Sequence, residues 1–280
     1  MHEEKPDLSK IRFVVTDMDG TLLNSRYELP EDIFPAFSKM QTKGILFAAA
    51  SGRQYYNLLN RFEAIKDKMI FIAENGSYVV CKGEDMLVVA MEPDITREQL
   101  LEARNIPDTY VVLCGKKKAY VENDHPVFIS NVKRYYDRFE VVEDLLQVED
   151  DQFLKIAICD LAGAEGNSFT HFRQKKDYLQ VKVSGSIWLD IFHKLANKGR
   201  AMELLQKKYS ITPEETMAFG DYLNDLEMMQ QAHYSFAMEN AHPDIKKAAR
   251  FMAKSNDENG VMEVLQQMLN QALPNPDKSA

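Results

Sequence analysis

Apolar residues along this chain fall into short β-branched runs separated by amphipathic stretches of helical period. Ile11, Phe13, Val14 and Val15 form the first run, which predicts a buried strand. Leu29, Pro30, Glu31 and Asp32 open a helix that runs through Phe34, Phe37 and Met40 and stops at Gly44. A second buried strand covers 45–50, and a helix through Tyr56, Leu59 and Phe62 follows. Residues 69–72 give a third strand, with 78–81 extending beyond it. Strand alternating with helix predicts an α/β fold, a doubly wound parallel sheet of Rossmann-like type.

From about Lys82 to Gly185 the texture changes. Polar, charge-rich helical stretches (96–104, 127–139) alternate with short strands at 110–113, 154–158 and 179–183. The first pattern resumes at Ile187, where Trp188 reads as packing at a domain junction. A helix begins near Lys198, with Ala201, Leu204, Leu205 and Tyr209 on one face. Thr212, Pro213, Glu214 and Glu215 read as another helix start, with a cap, a proline and a glutamate three past the cap. Strands follow at 216–220, 234–238 and 251–253, then a final helix to about Leu273. The expected organisation is a core of 1–82 plus 186–273, an inserted α/β domain over 83–185, and a disordered tail over 274–280.

Composition narrows the function. The 280 residues are 45% hydrophobic and 28% charged, which suits a soluble globular protein long enough for two domains. A net charge of −9 argues against nucleic acid or an anionic membrane as partner. Cys81, Cys114 and Cys159 are too few and too dispersed for a disulfide framework or a zinc motif, and suggest thiols in a reducing compartment. Residues 1–10 are polar without an apolar signal core, and no apolar run reaches membrane-spanning length. A cytoplasmic protein, monomeric or a small homo-oligomer, is expected.

The candidate chemistry gathers at strand ends. Asp17 and Asp19 stand two residues apart where the first strand runs out, so alternation points both to one side. Such a pair repels unless a cation lies between the carboxylates or one keeps a proton. A hard ion such as Mg²⁺ would take these oxygens, and a retained proton would make the second carboxyl a general acid. Gly20 permits a sharp turn, and Thr21 can hydrogen-bond locally. Ser51 and Gly52 end the second strand and are read as heading a helix, hence an anion site. Lys198 adds a point charge for a phosphate oxygen, and Asp221, with Asn224 and Asp225, ends the 216–220 strand. A carboxylate nucleophile, a metal, a cation and N–H donors are what phosphoryl transfer uses.

Together, Asp17-x-Asp19-Gly20-Thr21, Ser51-Gly52-Arg53, Asn197-Lys198-Gly199 and Gly220-Asp221-x-x-Asn224-Asp225 resemble the four ordered motifs of the haloacid dehalogenase-like phosphatases. Glu74-Asn75-Gly76, Met238-Glu239-Asn240-Ala241 and Asn256 with Gly260-Val261 are similar to the Cof-type subfamily, in which an α/β cap is inserted between the second and third motifs. The resemblance implies that Asp17 attacks phosphorus to form an aspartyl phosphate. Asp19 would protonate the leaving alcohol, activate water, and meet Mg²⁺ through its backbone carbonyl. Asp221 would ligate Mg²⁺ with Asp17; Ser51, Gly52, Lys198 and Asn224 would hold phosphoryl oxygens; Thr21 and Asp225 would support the site. Arg53 could be a helix-surface charge and Glu74-Asn75-Gly76 a plain turn. The expected activity is Mg²⁺-dependent hydrolysis of a small phosphorylated metabolite, a sugar phosphate. A phosphomutase and a non-catalytic phosphometabolite sensor are the rival readings.

Overall fold

The structure, a computed structural model, describes residues 6–271. The tail expected over 274–280 lies outside the described residues, as do 1–5 of the polar N-terminal stretch and 272–273 of the expected final helix. In chain order the elements begin with β1 (Phe13–Asp17), α1 (Ile33–Thr42), β2 (Leu46–Ala50), α2 (Tyr55–Arg61), β3 (Ile70–Ala73), β4 (Tyr78–Cys81) and β5 (Glu84–Val88). Next come α3 (Pro93–Ala103), β6 (Thr109–Gly115), β7 (Ala119–Val121), α4 (Pro126–Tyr135), β8 (Phe139–Val141), β9 (Phe153–Asp160), α5 (Ser168–Phe172), β10 (Leu179–Gly185) and β11 (Trp188–His193). The chain closes with α6 (Lys198–Tyr209), β12 (Thr216–Gly220), α7 (Leu226–Gln231), β13 (Tyr234–Met238), α8 (Pro243–Ala248), β14 (Phe251–Ala253) and α9 (Gly260–Asn270). Two compact units result, one running to Ala50 and resuming at Met202, the other Ser51–Ala201.

In the first unit, parallel strands lie in the order β14-β13-β12-β1-β2. All five residues of β1 are buried, because β12 and β2 flank it and side chains cover both faces. Phe13 faces Thr216 on one side and Leu46 on the other. Parallel strands end at a common edge, so Asp17, Ala50, Gly220 and Met238 emerge together, where open α/β sheets bind ligands. Helix α1 buries Ile33, Ala36, Phe37 and Met40, a stripe of helical spacing, with Phe37 edge-on to Phe47 at 6.1 Å. Helix α6 buries Ala201, Met202, Leu205 and Gln206, leaving Leu204 and Tyr209 half-buried, a face rotated from the expected one. Residues 212–215 correct the expected helix start. The capping contact forms, Thr212 N–H donating to Glu215 Oε2 at 3.0 Å, yet only one 3₁₀ turn follows before Thr216 enters β12.

The second unit holds two antiparallel arrangements. Strands β3, β4 and β5 form a meander in which Ile72 faces Val79, so 78–81 folds back alongside β3 where the sequence reading had it extend beyond. The reversal is made by Glu74, Asn75 and Gly76, with φ of 48°, 55° and 91°. A six-stranded sheet has the order β10-β11-β9-β6-β7-β8, antiparallel except for β7 beside β8. Val111, Leu113, Ile156, Ile158, Leu189 and Ile191 pack one face against Leu100 and Ala103 of α3. Val112, Cys114, Ala157, Cys159 and Trp188 pack the other against Phe128 and Val132 of α4. Helix α4 ends at Tyr135, and Phe139, expected in that helix, starts β8. The residues expected as an insert, 83–185, all fall in this unit, which also takes in 51–82 and 186–201. Among the described residues no helix is long and apolar enough to cross a membrane.

Candidate active site

Asp17 is the last residue of β1, and the chain leaves strand geometry immediately after it. Leu22 N–H donates to the Asp17 carbonyl (3.3 Å), and Leu23 N–H to that of Met18 (2.8 Å), curling 18–23 into a tight loop through Gly20 at φ 75°. Strand alternation therefore stops at Asp17 and gives no common face to Asp19, which stands half-buried in the loop. The acidic side chains that do converge are Asp17, Asp221 and Asp225, each offering an oxygen within 4.8 Å of the others. Asp225 Oδ2 is occupied, accepting from the Asp221 and Tyr222 N–H groups at 3.0 and 3.1 Å. Thr21 Oγ1 donates to Asp221 Oδ1 (2.9 Å). A β-carbon on Gly20 would lie 2.4 Å from Asp221 Oδ2, so only glycine lets this carboxylate approach the loop. Three carboxylates this close repel unless a cation joins them, and an all-oxygen donor set suits a hard divalent ion.

Two further residues of the first unit brace the same loop. Asn240, after β13, donates through Nδ2 to the Gly20 carbonyl (2.8 Å), and its Oδ1 accepts from Asn256 N–H (3.2 Å). Asn256 Nδ2 donates to the Leu23 carbonyl (2.9 Å). The motifs around Asn240 and Asn256, recognisable in sequence without a task, thus buttress the loop that carries Asp19. Asn224 is half-buried one residue before Asp225.

Ser51, Gly52 and Lys198 belong to the second unit, so the expected site residues divide between the two. Ser51 does not head a helix, which corrects the anion-site argument. Helix α2 starts at Tyr55, and the preceding Gln54 turns its amide to both backbone groups of Arg138. Ser51 Oγ instead accepts from Arg53 N–H (3.1 Å). Arg53 is no surface charge. It is 2% exposed, donates to Asn57 Oδ1 (2.9 Å) and the Arg134 carbonyl (2.8 Å), and lies over the Tyr135 ring. Lys198 is fully buried at the start of α6. Gly76 packs against it so closely that a β-carbon there would lie 2.4 Å from the Asn197 carbonyl and 3.0 Å from Lys198 N. The 74–76 turn is thus wedged between the Ser51 loop and the start of α6, and is more than a plain turn.

Sequence reasoning missed two charges in the second unit. Lys155 and Asp190 stand in central strands β9 and β11, and register places them diagonally on one face. Lys155 Nζ lies 2.9 Å from Glu74 Oε2 and 3.5 Å from Asp190 Oδ2. Burial works against the Lys155 charge, but Asp190 and Glu74 outweigh it and hold the ammonium above its usual range. Burial pushes Glu74 up, against the pull of Lys155. The signal was present: a single charge inside an otherwise apolar strand, Phe153-Leu154-Lys155-Ile156 and Leu189-Asp190-Ile191.

This arrangement has counterparts among known proteins. Residues 14–265 match the haloacid dehalogenase-like hydrolase family. The chain is 32% identical over 267 residues to the 5-amino-6-(5-phospho-D-ribitylamino)uracil phosphatase YbjI of Escherichia coli (strain K12), covering 94% of this chain and 98% of that one. Among solved structures, SMU.1108c of Streptococcus mutans UA159 superposes with a TM-score of 0.86 at 30% identity, over 93% of this chain and 100% of its own. A haloacid dehalogenase-like hydrolase of B. subtilis shares the fold, with a TM-score of 0.82 at 22% identity over 91% and 99%. With carboxylates at the ends of β1 and β12 and a match of this extent, the chain belongs to the haloacid dehalogenase-like hydrolases, on their phosphatase branch.

Proposed function

We propose that the protein hydrolyses a small phosphate monoester, a sugar or sugar-alcohol phosphate, with Mg²⁺ held by Asp17, Asp221 and the Asp19 main-chain carbonyl. The observation that carries this reading is the convergence of Asp17 with Asp221 and Asp225, with Asp225 already committed to backbone N–H groups. The ion is therefore assigned to Asp17 and Asp221, and its chemistry when bound would be to offset charge on the phosphoryl group. The leaving-group class follows the phosphoribityl substrate in the name of the E. coli relative.

In this reading an Asp17 oxygen attacks phosphorus, the P–O bond to the alcohol breaks, and Asp19 gives its proton to the departing oxygen. Asp19 then takes a proton from water as that water attacks the aspartyl phosphate, releasing inorganic phosphate and restoring both carboxyls. Ser51, Gly52, Lys198 and Asn224 hold the phosphoryl oxygens. Side chains over 83–185 distinguish one leaving group from another, since the residues named so far address only the phosphoryl group and the ion.

The test is Asp17→Asn, assayed for phosphate release from p-nitrophenyl phosphate and a panel of sugar and sugar-alcohol phosphates. Asparagine keeps the shape without the nucleophile, so turnover should fall by more than about 1000-fold in a normally folded protein. Chelator-treated wild type should likewise be inactive until Mg²⁺ is restored. Substantial turnover by repurified Asp17→Asn would remove the nucleophile assignment, and full activity in chelator would remove the metal.

A further inference from the structure

The three consecutive carbonyls of Ser51, Gly52 and Arg53 are each held by a different donor. Asn75 N–H donates to the Ser51 carbonyl (3.0 Å) and Glu74 N–H to that of Arg53 (3.1 Å). Between them, the Gly52 carbonyl accepts from Lys155 Nζ at 2.7 Å. That ammonium is 2% exposed and is seated by Glu74 and Asp190. Asp190 is fixed in turn by Asn75 Nδ2 (2.7 Å). The ring of Tyr136 lies 5.8 Å from the ammonium on the same face.

A lone carbonyl does not need a buried cation, because a backbone N–H or a water satisfies it at far lower desolvation cost. What the ammonium adds is polarisation. The Gly52 carbonyl and the Arg53 N–H belong to one peptide, so a positive charge on the oxygen makes that N–H a stronger donor. Arg53 N–H donates to Ser51 Oγ. An oxygen already accepting there turns its own hydrogen toward a different acceptor.

We propose that Lys155, seated by Glu74 and Asp190, is a positioning residue for the phosphate-binding loop: it polarises the 52–53 peptide and through it sets the Ser51 hydroxyl as a donor to the phosphoryl group. The proposal rests on the reading of Ser51 and Gly52 as phosphoryl contacts. Lys155 itself touches no substrate. Its effect passes through one peptide and one hydroxyl.

The experiment measures KM for p-nitrophenyl phosphate and the inhibition constant of inorganic phosphate in the full chain, with a circular-dichroism melt for each variant. Lys155→Met strands two buried carboxylates, so a charge-compensated variant, Lys155→Met with Glu74→Gln, carries the test where the single change fails to fold. Both constants should rise about tenfold in that double variant, the loss of a charge-assisted hydrogen-bond chain, with a smaller change in kcat. Lys155→Arg, which keeps the charge, should recover part of the loss. On a Ser51→Ala background the Lys155 substitution should add nothing, because the hydroxyl through which it acts is gone. A folded double variant with unchanged constants would overturn the proposal, as would a full effect persisting without Ser51. Should Ser51→Ala itself leave both constants unchanged, the phosphate reading of the loop falls and the relay with it. Should Ser51→Ala raise them while the Lys155 variants do not, that reading stands and only the relay is lost.

Discussion

At the scale of single residues, the site depends on contacts that one added or removed atom would spoil. Gly20 sits at φ 75° with its missing β-carbon directed at Asp221 Oδ2, 2.4 Å away. Gly20→Ala should cost about 1–2 kcal/mol through backbone strain alone, and should also push the Asp221 carboxylate off its Thr21 hydrogen bond. Saturating Mg²⁺, at about 100 times its Kd, should stabilise the wild type by about 2.7 kcal/mol. The alanine variant should show a much smaller Mg²⁺-induced rise in Tm, and an equal rise would mean that Asp221 is not a ligand. Asp160 gives a residue-scale test away from the chemistry. Burial works to raise its pKa, but hydrogen bonds from Ser168, Asn167 and the Ala162 N–H outweigh it and hold the carboxyl below its ordinary 3.8. A depressed pKa stabilises the fold above that ordinary value, and the contribution is lost as pH falls below it. Asp160→Asn should therefore lose about 1–3 kcal/mol in urea unfolding at pH 7, and that difference should shrink progressively as the pH falls below the ordinary carboxyl range. A gap that stays constant with pH would show that the carboxylate charge is not what holds Ser168.

At the scale of elements, what was legible in the sequence is what lies close along the chain. The ends of β1 and β12 could be read because an apolar run, a carboxylate and a glycine are adjacent in sequence. The packing of the 74–76 turn, the seat of Lys155 and the loop struts could not, because their partners lie tens to hundreds of residues away. Local rules also failed where neighbours compete. The capping contact at Thr212 and Glu215 is real, but Thr216, Met217 and Phe219 pair with β1 and β13, and sheet formation ends the helix after one turn. Ser51 looked like a helix cap, yet the loop it enters is shaped by Asn75 and Glu74, and the helix waits until Tyr55. The strut Asn256 follows β14, next to β13, and reaches the loop after β1 through the Leu23 carbonyl. Asn256→Ala should cost about 1 kcal/mol for one lost hydrogen bond. It should lower kcat more than Tm, since the freed segment is the one bearing Asp19. Steady-state kinetics beside a melt decide it, and a variant that loses stability with unchanged kcat would reduce Asn256 to scaffolding.

At the scale of the whole chain, residues 83–185, expected from the sequence as an insert, are bound into their unit too deeply to be removed cleanly. Strand β11 begins after 185, at Trp188, but pairs on one side with β9 and on the other with β10, both within 83–185. Replacing 84–184 with a short linker would leave β11 without neighbours and expose Leu189, Ile191 and Phe192, all now buried. The same excision would remove Lys155, and with it the counter-charge for Glu74 and Asp190. Stranding buried carboxylates costs about 3–5 kcal/mol, a large part of the stability of a typical domain. The excised chain should therefore lose the cooperative transition of the second unit, and its emission should report the change, because Trp188 is the only tryptophan and packs edge-on against Tyr135. Trp188 emission should be red-shifted and flat with temperature in the excised protein, and sigmoidal in the intact one. A sharp tryptophan melt in the excised protein, near the intact Tm, would show that 51–82 and 186–201 fold without the excised residues. The buried charges would then have to find partners elsewhere. If the emission is flat as expected, the proposed role of 83–185 in leaving-group preference has to be tested by point substitutions there, each with Lys155 and its two carboxylates left in place.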